Sequence, residues 1–362
     1  MSTEARRDRL RRILVERDVD AALVTAPADV RYLSGFTGSN GALLVRASGT
    51  DLLATDGRYV EQAGEQSPDL ELVADRSVAP ALVARATRDG LRRVAFQAQH
   101  VTVQLHADLV QLGAEQDAEL VPLGSGVEEL RTRKDDDELE LLRTACRITD
   151  AALDELLEGV RVGATERALA LRLETRFVEL GAEGRAFPSI VASGPYASVP
   201  HHEPTDRSLE RGDLLIVDCG ARYRGYCADT TRTVVVGAPA EDWQAEIHQV
   251  VAAAQRAGIA ALAVGADVRD VDASARRVVT EAGWGDRFVH GLGHGVGLEV
   301  HEPPWLMASG DGRLAGRVPV TVEPGVYVPA RGGVRIEDVC LLAEDGRLEL
   351  LTGTDRELRT VG

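Results

Sequence analysis

A run of charge with no apolar stripe, residues 127–137 (VEELRTRKDDD), divides this chain into two stretches of different patterning. Such runs are solvated faces or linkers, so this one predicts a domain boundary. At 362 residues the chain is long enough for two domains and would stretch a single core. The expected organisation is a domain over 1–126, a linker over 127–137 and a second domain over 138–362.

The first stretch alternates helix and strand patterns. Helices are expected over 4–17, 79–89 and 101–112, with strands over 21–25, 41–45, 51–54, 70–73, 93–96 and 119–122 and a loop turning at Pro27. Alternation of this kind implies an α/β domain. After the charge run, apolar residues at Leu139, Leu142, Ala145, Ile148, Ala152 and Leu156 keep helical spacing over 138–157. A second helix, 165–180, opens with Thr165 and closes at Gly181. From Ile190 strands dominate, interrupted by helices over 243–262 and 268–282. The second domain is therefore α+β with a mostly antiparallel sheet. Within it, strands 214–218 and 231–236 face each other across RYRGY, and 318–323, 325–328, 333–342 and 347–351 complete the strand pattern.

Composition excludes several function classes. A net charge of -17 opposes a phosphate-backbone partner, and aromatic residues at 4% leave little for stacking on bases. The start, MSTEARRDRLRRILVERDVD, reads as an amphipathic helix and not as a signal peptide. No apolar run is long enough to span a bilayer. Cys146, Cys219, Cys227 and Cys340 form no CxxC pair, which favours a reducing, cytoplasmic setting, although Cys219 and Cys227 flank a predicted hairpin where a disulfide is open. Lys134 is the only lysine, which reads as a compositional bias toward arginine.

Five residues of the second stretch carry the chemistry: Asp218, Asp229, His294, Glu323 and Glu337. Each lies in a short apolar or glycine-rich segment, where an unpaired buried charge is costly. Four carboxylates exceed what one divalent ion needs, so two ions sharing bridging carboxylates are expected. With Tyr223 and Arg224 at the turn, Asp218 and Asp229 fall opposite one another, with Cβ atoms roughly 5 Å apart. A strand-end aspartate satisfied by backbone amides is the competing reading of Asp218. His294 lies in HGLGHGVGLEVHE, whose three histidines sit among glycines that admit close backbone approach. Arg335 and Glu337 fall on one face of a continuous strand, and an intrastrand ion pair is the competing reading there. Oxygen-rich ligation with a single imidazole favours Mn, with Co, Zn or Fe as alternatives. Two such ions supply hydroxide near neutral pH and polarise a carbonyl, so amide hydrolysis is expected. Glu323 is the expected proton carrier, and histidines outside the metal shell would stabilise an oxyanion.

These residues resemble the pita-bread metallopeptidases: Xaa-Pro aminopeptidases (aminopeptidase P), Xaa-Pro dipeptidases (prolidases) and methionine aminopeptidases. The family's ligand pattern falls, in order, on Asp218 in IVDCGA, Asp229 in ADTTRT, His294 in GLGHGVG, Glu323 in VEPGVY and Glu337 in RIEDV. Further positions match the family's substrate and proton-relay residues: His201 in SVPHHEP, with His202 as a neighbouring candidate, then His290, His301 and Arg335. The segments VRYLSGFTGSNGALLV and LLATDGRYVEQA look like the N-terminal domain of the Xaa-Pro branch, and more like aminopeptidase P than prolidase. The resemblance implies a pita-bread catalytic domain preceded by a smaller α/β creatinase-like domain. It also implies dinuclear-metal cleavage before a penultimate proline through a metal-bridging hydroxide, acting on small peptides. A homodimer or higher homo-oligomer follows from the same resemblance, with the N-terminal domain covering a neighbour's site.

Rival readings are a prolidase with the same site, a peptidase with broader choice at the second position, a non-catalytic relative and a metal-independent hydrolase of creatine-like substrates. The last two are disfavoured because no ligand of the five is missing.

Overall fold

The computed structural model describes residues 1–362, which separate into two compact units, Met1–Arg131 and Thr132–Gly362. The division lies inside the 127–137 charge run, but that segment is largely helical and not an open linker. Helix α6 (Gly126–Thr132) buries Val127 and Arg131, and α7 (Asp136–Glu158) begins immediately after it. Asp135 and Glu138 cap α7 reciprocally, which is why so acidic a stretch starts a helix: each side chain satisfies a backbone N–H at the positive end of the helix.

The first unit is built on one mixed sheet of β1 (Ala21–Val24), β2 (Gly41–Arg46), β3 (Leu52–Thr55), β4 (Glu71–Ala74), β5 (Arg93–Phe96) and β6 (Glu119–Pro122), in the order β4-β3-β2-β1-β5-β6. β1 and β3 are buried along their whole length, which requires cover on both faces. α4 (Val78–Arg88) and α5 (Val103–Ala114) pack Leu82, Val83 and Leu109 against Leu23 and Leu44. α1 (Thr3–Glu16) and α2 (Pro27–Ser34) contact the sheet at β2, and α3 (Val60–Gln66) lies between β3 and β4. The loop expected at Pro27 is α2, with the proline at its first turn, where a missing N–H is no loss. Buried Asp29 in α2 pairs with Arg131 of α6 at 2.7 Å.

In the second unit, the sheet β20-β12-β9-β8 joins β8 (Ile190–Ser193), β9 (Leu214–Cys219), β12 (Thr230–Val236) and β20 (Thr360–Val361). It lies between two cores. Ile190, Ile216 and Val235 meet α9 (Asp242–Ala261) and α10 (Val268–Glu281), while Leu215, Val217 and Val234 meet α7 and α8 (Glu166–Glu179). A five-stranded antiparallel sheet contains β13 (Gly293–Gly295), β14 (Glu302–Leu306), β15 (Val318–Val322), β18 (Asp338–Leu342) and β19 (Leu348–Leu350). Two short assemblies complete it: β7 (Gly184–Arg185) with β10 (Ala221–Tyr223) and β11 (Tyr226–Cys227), and the pair β16 (Gly325–Val328) with β17 (Gly332–Arg335). No helix is long and apolar enough to cross a membrane. All four cysteines are buried and free, so the Cys219–Cys227 disulfide does not form.

Two sequence expectations change here. Tyr223 pairs with Tyr226, so the turn residues are Arg224 and Gly225, both at positive φ (46° and 84°). A two-residue hairpin turn of that type matches strand twist, and Gly225 accepts its second position without a Cβ penalty. The register therefore shifts by two residues: Asp218 faces Thr231, not Asp229. Because the strand period is two, Asp229 keeps the same face and lies diagonally from Asp218. The second change is that 333–342 is not one strand. It leaves β17 in one sheet and enters β18 in another, breaking at Ile336 and Glu337, whose N–H groups bond to Pro324 and Thr231 carbonyls.

Candidate metal centre

β9 delivers Asp218, and the chain just before β12 delivers Asp229. Their approach needs a bare backbone at Gly220, where a Cβ would lie 1.8 Å from the Ala228 carbonyl oxygen. His294 comes from β13, next to a register irregularity that separates it from Gly295. Glu323 follows the last residue of β15, and Glu337 sits in the break between β17 and β18. The structure brings all five together. Together with His301, their ligand atoms form three overlapping groups, Asp229–His294–His301, His294–Glu323–Glu337 and Asp218–Asp229–Glu337, each within 4.8 Å.

The side chains fit divalent cations on three observations. Asp218 Oδ2 accepts from Arg335 Nη2 at 2.7 Å, whereas its Oδ1 is buried without a hydrogen-bond partner. His294 Nδ1 donates to the Gly295 carbonyl at 3.0 Å, since a carbonyl can only accept. That leaves Nε2 facing the carboxylates, 3.3 Å from Glu323 and 3.7 Å from Asp229. The third observation is electrostatic. Burial, then the neighbouring carboxylates, drive the Asp229 and Glu337 carboxyls well above their ordinary range, and burial raises Asp218 against the pull of Arg335. Glu323 goes the other way, down to about 2, because the His294 hydrogen bond and charge outweigh its burial. His294 is raised in turn, Glu323 outweighing the desolvation. Buried carboxylates at this density call for a positive charge the protein itself does not supply.

The remaining predicted residues line or support the same cavity, about 530 Å³ in volume, with Phe187, Ile190, Trp305 and Met307 as apolar wall. His201 is exposed on it. His202 lines the cavity too, but its ring is anchored, bonding Glu166 at 2.9 Å and stacking on Tyr196. His301 is exposed, its ring edge-on to His294 at 4.4 Å between centroids. His290 is half-buried, and desolvation holds it below its usual pKa. Its Nδ1 donates to the Gly291 carbonyl and its Nε2 accepts from Tyr327. Arg335 forms no ion pair with Glu337. It spans Asp218, Tyr327 (2.7 Å) and Thr231 (3.0 Å).

Sequence reasoning missed Thr231 and Tyr327. Thr231 Oγ1 donates to Glu337 Oε2 at 2.6 Å and accepts from Arg335, so it couples the two halves of the cluster. The hydroxyl-rich DTTRT run was its only signal. Tyr327 links Arg335 to His290 and has no signal beyond its nearness to Glu323 in sequence.

Comparison with known proteins agrees with this architecture. Residues 140–344 match metallopeptidase family M24, and residues 6–133 match the creatinase/prolidase N-terminal domain. The chain is 38% identical to uncharacterized peptidase YqhT of Bacillus subtilis (strain 168), over 97% of this chain and 98% of that one. The structure described as Xaa-Pro dipeptidase from Bacillus anthracis superposes with a TM-score of 0.94 at 36% identity, over 99% and 100% of the two chains. An X-Pro aminopeptidase from Thermotoga maritima MSB8 gives 0.91 at 35% identity, over 98% and 99%. The chain belongs to metallopeptidase family M24. It is a metallopeptidase with the pita-bread catalytic domain and creatinase-like N-terminal domain of that family.

Proposed function

We propose that this enzyme is an Xaa-Pro aminopeptidase that removes the residue ahead of a penultimate proline from small peptides. Asp218, Asp229, His294, Glu323 and Glu337 would hold two divalent ions, Mn in the resting enzyme. Such ions, when bound, polarise a peptide carbonyl and lower the pKa of water toward neutrality. Glu323 has the most exposed side chain among the ion-paired carboxylates of the cluster, 18% against 12% for Asp218 and 5% for Asp229. It is therefore the group suited to take the water proton and pass it to the leaving proline nitrogen. His201 and His301 face the cavity as donors for the carbonyl oxygen, and Arg335 orients Asp218. His290 has both ring nitrogens engaged, so its part is to shape the wall with Tyr327.

The observation that favours an aminopeptidase concerns positive charge. Arg335 is the only lysine or arginine lining the cavity, and its guanidinium is bound to Asp218, Tyr327 and Thr231. A dipeptide would bring a proline carboxylate that finds no free permanent cation there, whereas a longer peptide brings a neutral amide. A dipeptidase is the second reading, favoured by the likeness to the Bacillus anthracis protein and by His201 and His301, whose ring N–H groups on the cavity wall can donate to a carboxylate. Metal-free enzyme reloaded with Mn should cleave Ala-Pro-Ala and leave Ala-Pro intact. Cleavage of Ala-Pro alone would establish the dipeptidase instead. Equal cleavage of Ala-Ala-Ala would remove the proline requirement. A homodimer in a reducing, cytoplasmic setting completes the proposal, and a monomer mass in sedimentation would refute the dimer.

A further inference from the structure

Lys134 is the only lysine among 41 lysines and arginines, and it is 2% exposed. A chain that uses arginine for every other basic position keeps a lysine where the site is sealed. Its ammonium pairs with Glu302, itself 3% exposed, and also reaches the Thr132 carbonyl at 3.3 Å. The space is narrow: a Cβ on Gly297 would lie 2.5 Å from Glu302 Oε1. An ammonium fits there as a compact donor with three N–H groups. A guanidinium would bring five in a planar fork on a longer head, a different shape for the same enclosed space.

Glu302 opens β14, directly after His301, and pairs with Gly295 of β13. Glu302 is turned inward to Lys134, while His301, in the bend just before the strand, is turned to the cavity beside His294. Glu302 also accepts from the backbone N–H of Glu299, which gathers the tip of the β13–β14 hairpin around the same carboxylate. The anchor is itself fixed. Lys134 and Arg317 bond to each other through the Lys134 N–H (2.9 Å) and the Lys134 carbonyl (2.7 Å), and Arg317 leads directly into β15 and Glu323.

We propose that Lys134, through its buried ion pair with Glu302, is a positioning residue that holds the 296–302 loop so that His301 faces the metal cluster. The proposal deepens the peptidase reading above and rests on it for its activity measurements, but not for its structural one. Lys134 touches neither substrate nor metal ligand, so its loss should act on the loop and leave the ions in place.

The test is a double-mutant cycle between Lys134→Met and His301→Ala, read alongside hydrogen exchange and metal content. Lys134→Met should speed exchange in 296–302 while the rest of the chain stays protected, and metal content should match wild type. On Ala-Pro-Ala, or on whichever peptide the wild type cuts, kcat/KM should fall by roughly 10- to 100-fold. In the His301→Ala background the same change should cost less than about twofold, because coupled residues are not additive. Lys134→Arg should not restore the rate, and Lys134→Met combined with Glu302→Gln, which removes the unpaired charge but not the lost anchor, should regain stability while the rate stays low; full recovery of the rate would overturn the proposal. Equal losses in both backgrounds, unchanged exchange in 296–302, or metal loss parallel to the rate would each overturn the proposal. Should Lys134→Met fail to fold, Glu302→Gln carries the same cycle and the same criteria. A wild type that cuts no Xaa-Pro peptide would refute the substrate reading, while the exchange measurement would still decide the role of Lys134.

Discussion

Glu337 and Asp338 are neighbours in sequence and both are buried, yet they belong to opposite electrostatic regimes. Asp338 is neutralised from within. Its Oδ1 receives Arg232 and Thr352, each at 2.7 Å, and its Oδ2 receives Gln255 at 2.6 Å and Arg356. Arg232, 2% exposed, spends its other donors on the Glu337 and Thr354 carbonyls and on Thr230. Glu337 faces the other way, into a cluster with Asp218, Asp229 and Glu323 whose only permanent cation is Arg335. A buried carboxylate with internal counter-charges is architecture. A group of them without enough counter-charge is a place made for cations from outside.

The largest effect should come from Asp229→Asn. Activity should drop to background and the protein should bind less metal. In chelator-treated protein the same change should raise the melting temperature, because it removes one of several repelling charges. Asp338→Asn should do the reverse, destabilising both metal-free and metal-loaded protein by about 3–5 kcal/mol as Arg232 and Arg356 lose their anion. Denaturant unfolding of the four preparations checks the contrast directly. If both substitutions shift stability alike with and without metal, the distinction between the two regions is wrong.

A pH series on metal-free protein sharpens the comparison at intermediate size. Asp229 and Glu337 have folded-state pKa values raised above their unfolded ones by burial and by neighbouring carboxylates. The folded state therefore binds more protons than the unfolded state. Their contribution to stability is complete below the ordinary carboxylate range and is lost as pH rises through the raised values. Metal-free enzyme should accordingly melt at a higher temperature in mild acid than at neutral pH, and Asp229→Asn should flatten that slope. A melting temperature that climbs toward neutrality would contradict the charge assignment. The smallest effect should follow Thr231→Val, which keeps shape and removes the hydroxyl between Glu337 and Arg335. A loss of roughly 10- to 100-fold in kcat/KM or metal affinity is expected, with little change in fold stability.

What could be read from the sequence divides along the same line. The five cluster residues were legible because each is a polar residue in a short apolar or glycine-rich frame, a pattern that local sequence displays. Their register was not, because a turn at Arg224 and Gly225 with positive φ at both positions shifts the pairing by two residues while preserving which face is used. Asp338 and Arg232 were invisible as a pair because the partners are far apart along the chain and meet only when β18 packs beside β12. The chain does divide inside the charge run, but the helices within it and the helix at Pro27 were not foreseen for a common reason: proline at a first helical turn and aspartate at a cap are also loop residues. Lys134 shows the opposite error, a residue taken as compositional noise that is among the most enclosed cations of the second unit.

The most direct test of the central claim is metal stoichiometry by atomic spectroscopy on chelator-stripped enzyme dialysed against excess Mn. Wild type and Lys134→Met should each retain two ions per chain, and Asp229→Asn should retain fewer. Wild type that retains none, or Asp229→Asn that still holds two, would contradict the assignment of these carboxylates to a dinuclear centre.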